Sequence, residues 1–112
     1  MFGSQSATPT VDLAALPADL YLLDVREDDE WQAGHAPDAV HLALSELTAR
    51  TEEVPADRDV YVICRAGARS EQATSYLNQL GCTALNVAGG MLAWEAAGLP
   101  MVSEDGSQPT VV

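Results

Sequence analysis

Lysine is absent from the 112 residues, and the only five cationic side chains, all arginine, face 17 acidic ones for a formal charge of −12. Neutralisation of phosphates by Lys and Arg supplies most nonspecific affinity for nucleic acid, so this balance excludes a duplex-DNA or RNA binder. Anionic membrane surfaces are disfavoured for the same reason. No apolar run approaches the ~20 residues of a bilayer span. The opening Met1-Phe2-Gly3-Ser4-Gln5-Ser6 lacks both the basic and the apolar stretch of a secretion signal. A soluble, cytoplasmic protein is the expectation. Cysteine is scarce, and Cys64 and Cys82 are far enough apart in an intracellular chain to be expected reduced. With His35 and His41 they form no C-x-x-C or H-x-x-x-H spacing, so neither a metal site nor a cofactor is expected.

What is present suits a single domain: 47% of residues are apolar, and a body of this length buries roughly two-thirds of its unfolded surface. Residues 1–9 and 102–112, small and polar, are read as flexible tails flanking a domain at 10–101. Leu20–Val25 and Val60–Cys64 are nearly continuous apolar segments, the pattern of strands covered on both faces of a parallel sheet. Shorter strands are expected at 39–42, 83–87 and around Thr10-Val11. Helices are expected at 12–16, 27–33, 45–50 and 90–97, and most clearly after Ser70. There Ala73, Tyr76, Leu77 and Leu80 form one stripe of a 3.6-residue period, Ser70 is placed to cap the start, and Gly81 suits the position past the end. Strict alternation of strands and helices predicts an α/β sandwich with helices on both faces of the sheet.

The informative segment is Val62-Ile63-Cys64-Arg65-Ala66-Gly67-Ala68-Arg69-Ser70. It places Cys64 where a buried strand ends and a loop of small residues leads into a helix, the address at which open α/β sheets bind ligands. Ala66, Gly67 and Ala68 let the loop curl and aim successive N–H groups at one point. The helix dipole, Arg65 and Arg69 add positive charge there. A cysteine so placed is expected to have a depressed pKa and to be a nucleophilic thiolate at neutral pH, and the same cradle receives anions.

Three blocks carry a resemblance that extends over about Val11 to Pro100. Leu22-Leu23-Asp24-Val25-Arg26-Glu27 with Glu30-Trp31 and Gly34-His35 resembles the first conserved block of single-domain rhodanese sulfurtransferases. The loop from Cys64 to Ser70 resembles their active-site loop, and Gly89-Gly90-Met91-Leu92-Ala93-Trp94 with Gly98-Leu99-Pro100 their carboxyl-terminal block. The resemblance implies a three-layer sandwich, its five-stranded, mostly parallel sheet flanked by helices, and a two-step reaction. Cys64 attacks the outer sulfur of a small anionic donor such as thiosulfate, sulfite leaves, and the Cys64 persulfide passes its sulfur to cyanide or another thiol. Sulfite departs without a proton, consistent with a loop that contains no His, Asp or Glu. One turn departs from the family pattern, Gly34-His35-Ala36-Pro37-Asp38-Ala39, where Asp38 replaces a glycine but tolerates a left-handed backbone.

Cysteine phosphatases that share the implied fold place five residues between Cys and Arg. Here Arg69 follows after four and Ser70 holds the phosphatase position, so the smaller ring of amides suits one sulfur better than a phosphate, and phosphatase or arsenate reductase chemistry ranks below sulfur transfer. Arg65, Ala66, Gly67, Ala68, Arg69 and Ser70 are therefore the expected substrate-binding loop around a catalytic Cys64, with Ser70 read as a cap rather than a catalyst. Asp24, Arg26 and Gly89 are expected behind it. Asp24 is placed to look toward the site, Arg26 to pair with a nearby carboxylate, and Gly89-Gly90 to let the backbone pass close to the loop. His35 is expected to hydrogen-bond the backbone of its Pro turn, and Cys82 to be structural. Two alternatives stand beside an independent enzyme: a persulfide carrier exchanging sulfur with a partner protein, and a noncatalytic rhodanese-like module for binding or sensing.

Overall fold

A computed structural model describes residues 8–112. Five strands, β1 (Thr10–Val11), β2 (Leu22–Asp24), β3 (Val40–His41), β4 (Asp59–Ile63) and β5 (Thr83–Val87), form one sheet in the order β1-β5-β4-β2-β3. Every pairing is parallel, with Leu23 opposite Val62 and Tyr61 opposite Leu85. The α/β sandwich expected from the alternation of elements is therefore the fold.

Side chains alternate across β2 and β4 and divide the core in two. Leu23, Val60, Val62 and Cys64 pack with Leu47 of α2 (Leu44–Leu47) and with Ala73 and Leu77 of α3 (Ala68–Gln79). Leu22, Tyr61 and Ile63 pack on the other face with Met91 and Trp94 of α4 (Gly90–Ala96). A further helix, α1 (Asp28–Ala33), begins with a capping box in which Glu27 and Glu30 satisfy each other's backbone N–H groups.

The helix expected at 12–16 is a single 3-10 turn at Leu13–Ala15, because Pro17 forces Leu16 into an extended conformation (ψ 133°). The one expected at 45–50 shortens to α2, followed by a 3-10 turn at Thr51–Glu53. In α3 the stripe holds at Ala73 and Leu77, both fully buried, but Leu80 lies past the last helical residue and is 53% exposed.

The tails are the larger correction. Of the segment 1–9, residues 1–7 lie outside the described residues, while Pro9 accepts a bond from Asn86 N–H at 2.7 Å and belongs to the sheet edge. Residues 102–112 do not hang free. Val102 exchanges two backbone bonds with His35, both at 2.9 Å, Glu104 N–H bonds Gln32 O, and Thr110 N–H bonds Ala33 O. Met101 and Val111 pack against the core on the α4 face. Polar composition predicts mobility from side chains, whereas main-chain hydrogen bonds and two apolar anchors hold this segment.

Candidate active site

Strand β4 ends at Ile63, and Cys64 begins a four-residue loop before α3. The loop is gripped from outside by the start of α4, where Met91 N–H donates to Cys64 O at 2.8 Å and Leu92 N–H to Arg65 O at 3.0 Å. These donors have no partner within their own helix, and they turn the loop carbonyls outward. The close passage expected at Gly89-Gly90 occurs at Gly90: a Cβ there would sit 2.5 Å from both Cys64 O and Arg65 O. Gly89 caps α4 in a left-handed conformation, with its backbone N 3.9 Å from where a Cβ on Gly67 would sit.

With the carbonyls turned away, N–H groups face the sulfur. Gly67 N–H donates to Cys64 Sγ at 3.1 Å, from a residue whose φ of 123° suits glycine. The Ser70 hydroxyl lies 3.2 Å from the same sulfur. Cys64 is only 1% exposed, and this burial opposes ionisation. It is outweighed by the Ser70 hydroxyl and by the N–H groups of Ser70, Gly67 and Ala66, which together hold the thiol below its usual range.

Ser70 is not the cap expected of it. Gly67 occupies the cap position and its carbonyl takes the first helical bond, from Glu71 N–H at 3.0 Å, so the helix starts three residues earlier and Ser70 points inward. Besides the sulfur, its hydroxyl reaches Gly67 O at 3.1 Å and Asn86 Oδ1, on β5, at 2.6 Å.

The arginines are placed differently from expectation. Arg69 binds both oxygens of Glu30, at 2.7 and 2.8 Å, yet stays close enough to Cys64 for an anionic sulfur to favour its charged form after Glu30 has done so. Arg65 is exposed and donates its Nε–H to the Val112 oxygen at 2.9 Å. Ala66 and Ala68 line the exposed crest of the loop. Asp24 does not reach into the site. Its carboxylate is taken by Arg26 through Nε, Nη2 and the backbone N–H, and Arg26 Nη2 also bonds Gly34 O at 2.7 Å. Both side chains are fully buried, which makes them the architectural pair expected of Arg26.

His35 bonds Ala36 O at 2.8 Å, as expected of its turn, and Glu104 at 2.7 Å through its other nitrogen. Among the described residues no group of three or more His, Cys, Asp and Glu is arranged to hold a metal ion. A cavity of about 270 Å³ lined by Leu20, Leu22, Pro37 and Trp94 lies at the amino ends of the strands, away from the cysteine. No helix among the described residues is long and apolar enough to cross a membrane.

Three participants went unassigned in the sequence: Glu30 as the partner of Arg69, Asn86 behind Ser70, and the first amides of α4. Asn86 did carry a signal, as a polar residue within the apolar run Ala84-Leu85-Asn86-Val87. Glu30 carried none toward Arg69, from which 39 positions separate it.

Comparison with known proteins agrees with this geometry. The sequence profile of the rhodanese-like domain matches residues 10–97. A sulfurtransferase of Allochromatium vinosum is 45% identical over 89 residues, covering 79% of this chain and 83% of that protein. The putative sulfur carrier protein YrkF of Bacillus subtilis is 38% identical over 76 residues, 67% of this chain and 41% of its own length. Among solved structures, a rhodanese-related protein of Thermoplasma volcanium superposes with a TM-score of 0.79 at 32% identity, covering 84% of this chain and 97% of the other. Sheet, loop and relatives agree that the chain belongs to the rhodanese-like domain family.

Proposed function

We propose that the chain is a sulfurtransferase that carries sulfur as a persulfide on Cys64. The observation that supports this reading is the sulfur's seat, where Gly67 N–H and the Ser70 hydroxyl lie 3.1 and 3.2 Å from Sγ at the carboxyl end of a central strand. The thiolate attacks the outer sulfur of a donor such as thiosulfate. The donor S–S bond breaks, sulfite leaves with the electron pair, and a Cys64 persulfide remains. Amide donors fixed in advance hold the new anionic sulfur without reorganising. Cyanide or a thiol then attacks the outer sulfur and releases the Cys64 thiolate.

After exposure to thiosulfate and removal of the excess, the intact mass is expected to rise by about 32 Da in wild type and to stay unchanged in Cys64→Ser. No gain at any donor concentration would overturn the reading, and thiocyanate formation measures turnover. Exchange with a partner protein is a second reading, favoured by the charge of −12, which repels small dianions, and by the likeness to a putative sulfur carrier protein. Fast transfer from a protein persulfide with slow turnover of saturating thiosulfate is its signature, and the reverse result removes it.

A further inference from the structure

The positive charge of Arg69 is already spoken for. Arg69 meets Glu30 in a two-pronged pair, and the pair is partly withdrawn from water, with the Glu30 side chain 13% and that of Arg69 34% exposed. Glu30 is itself fixed, because its Oε1 also accepts Glu27 N–H at 3.1 Å in the capping box of α1. The hydrogen bonds from Arg69 hold the Glu30 carboxyl below its ordinary range despite partial burial, so at neutral pH the two charges cancel. Arg65, the other loop cation, turns its Nε–H to Val112. An arriving anion therefore meets amide N–H groups and a hydroxyl, backed by a neutral ion pair, with Arg65 exposed on the loop as its remaining cation.

We propose that Glu30 sets donor specificity: by cancelling Arg69 beside the cysteine, it favours monoanionic sulfane donors, alkyl persulfides and thiosulfonates, over dianionic thiosulfate. This rests on the sulfur-transfer reading of Cys64. The chemistry is the same for each donor. Cys64 Sγ bonds to the outer sulfur, the donor S–S bond breaks, and its electron pair leaves on a thiolate, a sulfinate or sulfite. What differs is the charge to be held beside the loop, one unit for a thiolate or sulfinate and two for sulfite.

The test compares thiosulfate with methanethiosulfonate, in which a methyl group replaces one anionic oxygen, using cyanide as acceptor. Any change in Cys64 nucleophilicity affects both donors and cancels in the ratio of their kcat/KM values. Glu30→Gln keeps an oxygen to accept Glu27 N–H and removes the charge. It is expected to raise the thiosulfate to methanethiosulfonate ratio about fivefold, the effect of one nearby unit charge through a partly hydrated rim. Arg69→Gln leaves Glu30 uncancelled and is expected to lower the ratio by a similar factor, so the two variants move it in opposite directions. A ratio that neither variant moves, or that both move the same way, overturns the role of Glu30 while a Cys64 persulfide still forms. Absence of the persulfide mass from either donor on wild type overturns the sulfur-transfer reading itself.

Discussion

Ser70→Ala tests what keeps the cysteine reactive. The Ser70 hydroxyl has one proton and three acceptors within reach: Asn86 Oδ1 at 2.6 Å, Gly67 O at 3.1 Å and Cys64 Sγ at 3.2 Å. While Cys64 is a neutral thiol, the shortest contact keeps the Ser70 O–H donating to Asn86 Oδ1. When Cys64 ionises, the proton swings to the sulfur. A buried hydrogen bond to a charged group is worth roughly 1.5–3 kcal/mol, and the neutral bond surrendered about 0.5–1.5. The difference leaves about 1 kcal/mol in favour of the thiolate, or roughly a fivefold change in its population below the midpoint. Ser70→Ala should therefore move the midpoint of iodoacetamide alkylation upward and cut the rate below that midpoint about fivefold, while the high-pH plateau is retained. Gly67 N–H remains 3.1 Å away, so part of the activation survives. An unmoved or lowered midpoint would refute the assignment of the hydroxyl, and with it the view that this small polar network outweighs burial.

The Asp24–Arg26 pair is fully buried, and Arg26→Met, by leaving Asp24 uncompensated, should cost about 3–5 kcal/mol in chemical denaturation; a loss below about 1 kcal/mol would mean that water reaches the carboxylate. Gly90→Ala puts a Cβ 2.5 Å from two loop carbonyls at a φ of +57°, so it should displace the loop and reduce sulfur loading at least about tenfold, with backbone strain of about 1–3 kcal/mol appearing as a lower Tm; wild-type loading would contradict the close packing. Because the folded state holds Cys64 below its usual thiol range, the thiolate's contribution to stability is lost as pH falls through the folded midpoint and fully present above the unfolded one. Across that window the stability of wild type should rise with pH relative to Cys64→Ala, and parallel curves would exclude the shift.

Hydrophobic patterning carried the fold because each central strand is buried on both faces. Leu22-Leu23 and Val60–Ile63 send alternate side chains into the two halves of the core, so apolar continuity suffices to identify them. The cysteine was legible for a related reason, since small residues and a glycine between a strand and a helix constrain the backbone locally. The pairing of the arginines was not. Arg69 meets Glu30 only because parallel strands bring the starts of α1 and α3 to the same end of the sheet, and a linear pattern does not encode that meeting. The segment after Pro100 escaped for the opposite reason: its hydrogen bonds use the peptide groups that every residue has, so nothing distinctive marks it.

The order in which these parts leave the ribosome matters. Cys64 and its loop precede Asn86, Met91 and Leu92, the residues that brace Ser70 and tether the loop carbonyls. A nascent chain that has emerged only as far as α3 holds Gly67 and Ser70 but lacks the groups that brace them around a negative sulfur. The full depression of the thiol therefore depends on β5 and α4 having docked, and a locally unravelled molecule carries a sulfur that ionises closer to the ordinary thiol range.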